Sequence, residues 1–294
     1  MKIKEVLSDG ISILKQSNIE DETLKAKMLL ADLLDKSKEY LMIHSDDEID
    51  EKISEVFFKR IERLKENEPI QYITNKQEFM GFEFYVDKSV LIPQPDTEIL
   101  VEEVLNFVND NKSELLSNQE KLNILDMCTG SGAIAISLDK NLKSNLDDKS
   151  IRIFASDISS LALDVSKENN KRLNTNVEFI ESDLFNNIPI DYKFDIIVSN
   201  PPYIKSEVIE TLPEEVKNEP HLALDGKEDG LYFYREIIIK SKEYLNKNGM
   251  IFFEIGYDQK DDVMTLLKEN GYVNIYSKKD YGLNDRIVVG MKGE

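Results

Sequence analysis

The chain of 294 residues has few of the residues that build disulfide frameworks or zinc sites. Its single cysteine, Cys128, excludes an internal disulfide and is typical of a protein from a reducing compartment. Its two histidines, His44 and His221, are too few to complete a structural zinc site of the usual ligand types with one thiol. We therefore predict neither disulfides nor a metal site.

Long apolar runs are also missing from the sequence. The first residues, M-K-I-K-E-V-L-S-D-G, have no sustained apolar core of the signal-peptide type. No stretch approaches the roughly 18 apolar residues that a membrane-spanning helix needs. We expect a cytoplasmic protein that does not associate with a membrane.

Basic residues are in deficit. The chain has 37 Lys and Arg against 57 Asp and Glu, which gives a formal net charge of −20. Because affinity for nucleic acid comes largely from Lys and Arg that displace phosphate counterions, we expect no direct nucleic-acid partner. A local basic patch on the surface is still compatible with this net charge. The hydrophobic content of 41% is ordinary for a globular protein, and the length allows two domains.

The N-terminal part of the sequence predicts a small helical bundle, which we assign to residues 1–74. Apolar residues recur there at helical spacing. The segment S-D-D-E (Ser45 to Glu48) has the spacing of a capping box, and it predicts the start of the last of these helices. The apolar stretches are Ile3–Leu14, Leu24–Leu33 and Ile49–Leu64. Their apolar faces are expected to form the core of the bundle. The alternative is that the bundle also docks a partner.

The character of the sequence changes after the bundle. Aromatic and β-branched residues around Gly81 predict a β-hairpin linker over residues 75–95, and Pro93 and Pro95 interrupt the chain before a helix that begins near Asp96. Over residues 96–294, strands and helices alternate, which predicts an α/β domain with a mostly parallel, doubly wound sheet. The short loop between the last two strands suggests that the final strand runs antiparallel. The predicted strands are Leu122–Asp126, Ile151–Ser156, Val177–Glu181, Phe194–Ser199, Met250–Glu254, Val273–Tyr276 and Arg286–Val289.

The first of these strands leads directly into D-M-C-T-G-S-G-A-I-A (Asp126 to Ala135). Gly130 and Gly132 allow a sharp turn and a close approach of the backbone to a ligand. Asp157 ends the next strand, where a carboxylate can hold ribose hydroxyls, and Asp183 ends the third, where it can reach a base. Parallel strands end at one edge of a sheet, so these residues predict a nucleoside-cofactor site. At this point both a nicotinamide dinucleotide and S-adenosylmethionine fit.

The segment V-S-N-P-P-Y-I (Val198 to Ile204) follows another apolar strand. Pro201 cannot donate to a sheet ladder, so the strand must end at Asn200, at the same edge as the glycines. The Asn200 side chain and a backbone carbonyl of the proline segment can together accept both hydrogens of one planar NH2 group. Tyr203 can lie flat against that group. We call residues 200–203 the proline turn.

Such an arrangement favours methylation of an amide or aryl amine, and hence S-adenosylmethionine as the cofactor. The nitrogen of such a group is a poor nucleophile because its lone pair is delocalised. Neutral, electron-rich acceptors can orient it and stabilise the positive charge that develops as it attacks the methyl group. No strong base is required, since the nitrogen becomes acidic once alkylated. The alternative interpretation is that residues 200–203 form a turn whose sole role is to end the strand.

With these residues in place, the chain resembles the release-factor glutamine methyltransferases, which methylate the glutamine of the Gly-Gly-Gln loop of class-1 peptide chain release factors. The resemblance covers nearly the whole chain. Besides the glycine-rich segment and N-P-P-Y-I, it rests on E-P-I-Q-Y-I (Glu68 to Ile73), V-L-I-P-Q-P-D-T-E (Val90 to Glu98), S-D-L-F (Ser182 to Phe185), E-P-H-L-A-L-D-G-K-E-D-G-L (Glu219 to Leu231) and E-I-G-Y-D-Q (Glu254 to Gln259).

The resemblance implies a helical N-terminal domain that helps to recognise the release factor, and a Rossmann-like class I methyltransferase domain. That domain has a seven-stranded sheet with an antiparallel last strand. The implied contacts to S-adenosylmethionine are Cys128, Thr129, Gly130, Ser131, Gly132, Asp157, Asp183, Leu184 and Asn200. The implied glutamine-binding residues are Asn200, Pro201, Pro202 and Tyr203, of which Asn200, Pro201 and Tyr203 are the expected catalytic residues. We call residues 128–132 the glycine loop.

Two segments depart from the pattern of the resembled family. Met127 and Cys128 stand where Leu and Gly are usual; we expect this change to be tolerated because Cys is small. Gln94 stands where Arg is usual, which removes a charge near the domain junction. The alternatives are a glutamine methyltransferase of a ribosomal protein, an adenine-amino methyltransferase of nucleic acid, a dehydrogenase, and a non-catalytic cofactor-binding protein.

Overall fold

The computed structural model describes residues 1–17, 19–116, 121–143 and 150–294. Within them the chain forms two compact units. The helical unit comprises Met1–Lys76 together with Pro213–Asn218. The sheet unit comprises Gln77–Leu212 and Glu219–Glu294.

Most of the helical unit is formed by the N-terminal residues, which confirms the predicted helical region. Gly10 allows α1 (Ile3–Gln16) to approach α4 (Glu51–Lys65) closely, because a Cβ at Gly10 would lie only 2.7 Å from the ring of Phe57. Leu14, Leu29 and Ile61 are completely buried in the hydrophobic core that contains Phe57. The helices are α1 (Ile3–Gln16), α2 (Glu22–Leu34), α3 (Lys38–Ile43), α4 (Glu51–Lys65), α5 (Ile70–Thr74) and, from the distant segment, α10 (Glu214–Lys217).

The helix α10 is held in this unit by polar contacts. The Lys25 ammonium lies 3.0 Å from the Glu215 carboxylate, and Asn218 Nδ2 donates to the backbone oxygen of Asn67 at 2.9 Å. The sequence pattern gave no indication of this association, because the segment lies among residues assigned to the second domain.

The predicted capping box at Ser45–Glu48 is wrong as the start of α4. The N-cap of α4 is Asp50, whose carboxylate accepts from the backbone N–H of Lys52 at 2.8 Å. The carbonyls of Ser45 and Asp47 instead accept from the N–H groups of Lys4 and Ile3. The segment therefore caps α1 through its backbone, since the first N–H groups of a helix have no partner within it.

The sheet unit contains a seven-stranded sheet in the order β5-β4-β3-β6-β7-β9-β8. Neighbours from β5 to β7 are parallel, and β9 runs antiparallel between β7 and β8. Both the α/β sheet and its antiparallel last strand are confirmed. The strands of this sheet are β3 (Leu122–Met127), β4 (Ile151–Asp157), β5 (Glu178–Glu181), β6 (Phe194–Ser199), β7 (Leu245–Glu254), β8 (Tyr272–Lys279) and β9 (Asp285–Lys292).

Helices cover both faces of the sheet, and successive residues of the central strands alternate between the two hydrophobic cores, as a doubly covered sheet requires. Ile196 and Phe252 face the core that contains α6 (Pro95–Leu115) and α7 (Ala133–Lys143). Ile197 and Phe253 face the core that contains α12 (Tyr232–Tyr244) and α13 (Lys260–Glu269). The helices of this unit are α6 (Pro95–Leu115), α7 (Ala133–Lys143), α8 (Ser160–Arg172), α9 (Ser206–Ile209), α11 (His221–Leu224), α12 (Tyr232–Tyr244) and α13 (Lys260–Glu269).

The predicted hairpin is present as β1 (Gln77–Phe79) and β2 (Phe82–Phe84). Met80 and Gly81 both have positive φ, 51° and 75°, as a two-residue hairpin turn requires. Phe79 and Phe84 are completely buried in the core around α6, so the hairpin contributes to the fold of the sheet unit.

No helix in the described part of the chain is long and apolar enough to cross a membrane. No group of three or more His, Cys, Asp or Glu side chains in the same part is arranged to hold a metal ion.

Candidate active site

The loops that follow neighbouring parallel strands bring the predicted site residues to one edge of the sheet. The end of β3 is paired on one side with the end of β4 and on the other with the end of β6. The glycine loop follows β3, Asp157 ends β4, and the proline turn follows β6. Asp183 and Leu184 follow β5, whose last residue pairs with Asp157. All the predicted site residues thus lie at the carboxyl edge of four adjacent strands.

Two carboxylates hold the glycine loop in place. Asp157 Oδ2 accepts from the backbone N–H of Gly130 at 2.9 Å, and its Oδ1 accepts from the N–H of Ser159 at 2.9 Å. Asp126 Oδ2 accepts from the Thr129 hydroxyl at 2.6 Å and from the N–H of Ala135 at 3.1 Å. Asp126 was not among the predicted site residues, although it opens the segment that was singled out.

Burial dominates the electrostatics of both carboxyl groups. It raises the pKa of Asp126 to about 7, against the hydrogen bonds from Thr129 and Ala135. It also raises the pKa of Asp157, although nearby backbone N–H groups act in the opposite direction. Asp126 Oδ1 has no hydrogen-bond partner among the described residues. The loop is therefore supported by acidic groups whose protons are held more tightly than in water.

The two glycines of the loop differ in what surrounds them. Gly130 has a φ of +54°, and a Cβ built on it would meet no protein atom within 4 Å. Gly132 has a φ of +82°, and its Cβ would lie 2.9 Å from Ile136 Cδ1 and 3.0 Å from Ser166 Cβ. Gly130 thus faces open space at the sheet edge, whereas Gly132 allows α7 to pack against α8. Together with Asp157, this space fits a nucleoside cofactor.

Cys128 adopts a backbone conformation that favours glycine. Its φ is +62°, in the left-handed region, which costs a residue with a side chain on the order of 1 kcal/mol. Sequence reasoning treated the substitution as a matter of side-chain size and missed this conformational cost. Burial, reinforced by Asp157 and Asp126, also raises the pKa of the Cys128 thiol, so it is protonated at neutral pH.

The Asp183–Leu184 pair forms a tight turn after β5. The Ser182 hydroxyl donates to the backbone oxygen of Leu184 at 2.7 Å, and Leu184 has a φ of +48°. The Asp183 side chain is exposed and accepts from Asn186 Nδ2 at 3.2 Å. The turn leaves the Asp183 carboxylate accessible at the sheet edge.

The proline turn presents hydrogen-bond acceptors. Asn200 Nδ2 donates to the Thr97 hydroxyl oxygen at 3.3 Å, which leaves Asn200 Oδ1 without a hydrogen-bond partner among the described residues. The carbonyls of Pro201 and Pro202 likewise accept no hydrogen bond from that part of the chain. Thr97 thereby turns the side-chain oxygen of Asn200 away from itself. These groups can accept both hydrogens of a planar amide.

Two motifs that the sequence singled out only by resemblance support this turn from behind. Gln259 Nε2 donates to the backbone oxygen of Tyr203 at 3.0 Å. Gly226 N–H donates to the oxygen of Ile204 at 2.8 Å, and a Cβ on Gly226 would lie 2.7 Å from Tyr203 Cα. The segments around Gly226 and Gln259 therefore fix the backbone on which the Tyr203 ring is mounted.

A buried polar cluster lies behind the proline turn. The Tyr203 hydroxyl donates to Glu254 Oε1 at a long 3.5 Å, and burial raises the pKa of that hydroxyl. Arg286 lies 3.1 Å from both Asp96 and Asp280. Thr97, Glu254 and Arg286 were missed as site residues. The only signal for Thr97 and Glu254 was their place in the quoted motifs, and for Arg286 there was none.

Comparisons with known proteins agree with this geometry. A family model described as the PrmC N-terminal domain matches residues 5–74, and one described as the methyltransferase small domain matches residues 110–227. The release factor glutamine methyltransferase of Clostridium acetobutylicum is 42% identical, over 100% of this chain and 99% of its own. That of Clostridium botulinum is 40% identical, over 99% of this chain and 100% of its own.

The chain belongs to the release factor glutamine methyltransferase family. A 16S rRNA methyltransferase of Thermus thermophilus, solved in complex with AdoMet and guanosine, shares the fold with a TM-score of 0.51 and 14% identity, over 74% of this chain and 49% of that one. Membership in the release factor glutamine methyltransferase family makes the chain a methyltransferase, with S-adenosylmethionine as its methyl donor.

Proposed function

We propose that this enzyme methylates the side-chain amide nitrogen of the glutamine in the Gly-Gly-Gln motif of class-1 peptide chain release factors. The names of its relatives support a release factor as the substrate. The observation that carries the proposal is the orientation of Asn200, whose Nδ2 donates to Thr97 and whose Oδ1 is left to accept. A primary amide offers the two hydrogens that this oxygen and a proline carbonyl can bind.

The residues at the ends of β3, β4 and β5 bind the cofactor in this proposal, and Asn200 contacts both the cofactor and the substrate. When bound, S-adenosylmethionine supplies an electrophilic methyl group. Gly130 leaves room for it, because a Cβ there would meet no protein atom within 4 Å. Asp157 keeps lone pairs for ribose hydroxyls beyond the two backbone bonds it accepts. The proposed cofactor contacts are Cys128, Thr129, Gly130, Ser131, Gly132, Asp157, Asp183, Leu184 and Asn200.

The proline turn positions the substrate nitrogen. Asn200 Oδ1 and the Pro201 carbonyl accept the two amide hydrogens, and the Tyr203 ring covers one face of the amide. Both acceptors are neutral and fixed before the substrate arrives, so they stabilise the positive charge that develops on the nitrogen. Pro202 keeps the segment extended by restricting Pro201. The residues that touch the substrate thus act by orientation and electrostatics, without a strong base.

The domain organisation belongs to the same proposal. We assign residues 1–74 to release-factor recognition, 75–95 to the hairpin linker and 96–294 to methyl transfer, in a cytoplasmic protein that binds no nucleic acid directly. The match of residues 5–74 to the PrmC N-terminal domain supports the first assignment. If it is right, adding a release factor should slow amide hydrogen exchange in the helical unit. Unchanged exchange there, with the factor bound, would contradict it.

The direct test is mass spectrometry of a release factor incubated with this enzyme and methyl-labelled S-adenosylmethionine. We expect one added methyl group, on the glutamine of the Gly-Gly-Gln motif. The control is the same factor with that glutamine changed to glutamate, which has no amide hydrogens and should stay unlabelled. An unmodified release factor, with label on a ribosomal protein or on adenine of nucleic acid in parallel incubations, would replace the proposal by the corresponding alternative.

A further inference from the structure

Glu254 is a buried carboxylate that the proposed reaction does not yet use. It ends β7 and is 2% exposed, and its Oε2 has no hydrogen-bond partner among the described residues. Burial raises its pKa to about 7, although Thr97, Arg286 and Tyr203 act in the opposite direction. A buried, incompletely paired carboxylate is costly to maintain, so its position calls for an explanation.

Glu254 lies against both ends of the proline turn. At one end, the Tyr203 hydroxyl donates to Oε1 at 3.5 Å. At the other, the Thr97 hydroxyl lies close enough to the carboxylate to lower its pKa, without a hydrogen bond of ordinary geometry between them. Thr97 in turn accepts from Asn200 Nδ2. Hydrogen bonds of this kind are often long in a protein without substrate and tighten in the complex.

Charged groups from several elements surround this carboxylate. Arg286 on β9 favours its ionised form, whereas Asp96 at the start of α6 opposes it. Arg286 is shared, since it also pairs with Asp96 and with Asp280 at 3.1 Å. On α12, the Tyr234 hydroxyl donates to the backbone oxygen of Glu254 at 2.9 Å and leaves its carboxylate free. The ionised form is therefore only partly compensated.

The protonation state of Glu254 decides which way the Thr97 hydroxyl donates. An ionised carboxylate can only accept, so it draws the Thr97 proton and leaves the hydroxyl oxygen to accept from Asn200 Nδ2. A protonated carboxyl can donate to the Thr97 oxygen instead, so the Thr97 hydroxyl can donate its own proton to Asn200 Oδ1. The Asn200 side-chain amide can then flip, so that its oxygen and nitrogen exchange places. The turned amide would present N–H groups to the N–H groups of the substrate.

We propose that ionised Glu254 is a positioning residue which, through Thr97, fixes the orientation in which Asn200 offers its side-chain oxygen to the substrate amide. The inference rests on the proposed function of the proline turn and adds the group that sets the orientation of its Asn200 amide. Glu254 also accepts a hydrogen bond from the Tyr203 hydroxyl. A single carboxylate thus positions both side chains that face the substrate, Asn200 and Tyr203.

The first test compares Glu254→Gln with the pair Thr97→Val and Thr97→Ser in single-turnover methylation of a release factor. The wild-type rate should rise with pH through about 7, as Glu254 loses its proton. Glu254→Gln should abolish this rise and lower the rate at pH 8 about tenfold or more, with little change in KM. Thr97→Val should lower it similarly, and Thr97→Ser, which keeps the hydroxyl, should recover most of it.

Asp126 also has a pKa near 7, and Glu254→Gln separates the two groups because it leaves the glycine loop untouched. A folded Glu254→Gln enzyme with the wild-type rate and pH profile would overturn the inference. So would a Thr97→Val enzyme that transfers as fast as Thr97→Ser.

A second measurement does not depend on turnover. In NMR spectra of the whole protein, the side-chain amide signals of Asn200 should follow the titration of the Glu254 carboxyl carbon, and they should stop doing so in Thr97→Val. Independent behaviour of the two signals in the wild-type protein would overturn the inference. If the wild-type enzyme methylates no release factor, the proposed function fails, and the NMR titration still decides the role of Glu254.

Discussion

The glycine loop and the proline turn follow adjacent strands, β3 and β6, yet they are held in place by different means. The glycine loop combines positive φ angles at three of its residues with support from two neighbouring carboxylates. Asp126 accepts from the Thr129 hydroxyl, and Asp157 accepts from the Gly130 N–H. None of residues 200–203, all of them described by the structure, has a positive φ. Proline rings stiffen that turn, and distant side chains support it.

The difference indicates a division of labour. A loop that turns its backbone toward open space suits a cofactor that is recognised through backbone and carboxylate groups. A rigid turn with free carbonyls suits a group whose orientation must be fixed during the reaction. Changes in the glycine loop should therefore alter cofactor affinity, and changes in the proline turn should alter the rate of transfer at saturating cofactor.

The largest effect is expected for Asn200→Ala. The change removes a preorganised acceptor and leaves one hydrogen of the substrate amide unpaired, which typically costs ~100–1000-fold in rate. Single-turnover methylation at saturating cofactor and release factor measures it. Tyr203→Phe is the matched control, since it keeps the ring and should lose far less. A near-wild-type rate for Asn200→Ala would mean that the turn only ends β6.

A smaller effect, on affinity, is expected for Asp157→Ala. It should weaken binding of S-adenosylmethionine by roughly 1–3 kcal/mol, because ribose hydroxyls and the N–H groups of Gly130 and Ser159 lose their acceptor. Calorimetry measures the affinity. Thermal unfolding of the cofactor-free protein isolates the part due to the loop itself. An unchanged affinity, or a transfer rate that falls while affinity stays, would contradict the division of labour.

The two glycines of the loop should respond differently to alanine. Gly132→Ala places a methyl group against Ile136 and Ser166, so it should destabilise the fold by about 1–3 kcal/mol. Gly130→Ala meets no protein atom, so its stability cost should be limited to the strain of its φ of +54°, on the order of 1 kcal/mol, and it should in addition weaken cofactor binding. Denaturant unfolding and calorimetry on both variants separate the two costs. An unchanged cofactor affinity of the Gly130→Ala variant would show that Gly130 does not face the cofactor.

The same comparison shows what sequence could reveal. The strands β3, β4 and β6 and their ends were predictable, because apolar runs closed by Gly, Asp or Pro are local patterns. The supports of the proline turn were not, since Thr97 and Gln259 are more than fifty positions away in sequence. The early start of β7 at Leu245 was missed because Asn246–Gly249 is typical of a turn, and its pairing with β6 is irregular there.

The smallest effect is expected at Cys128, and its sign is the informative part. At an ordinary position glycine is less stabilising than alanine by about 0.5–1 kcal/mol, because it loses more conformational freedom on folding. At a φ of +62° the order should reverse, so Cys128→Gly should be more stable than Cys128→Ala by up to about 1 kcal/mol. Both variants lose the thiol, so the difference between their free energies of unfolding excludes side-chain packing. Urea denaturation measures it, and an alanine variant as stable as the glycine variant or more so would show that the loop relaxes around Cys128 and stores no strain there.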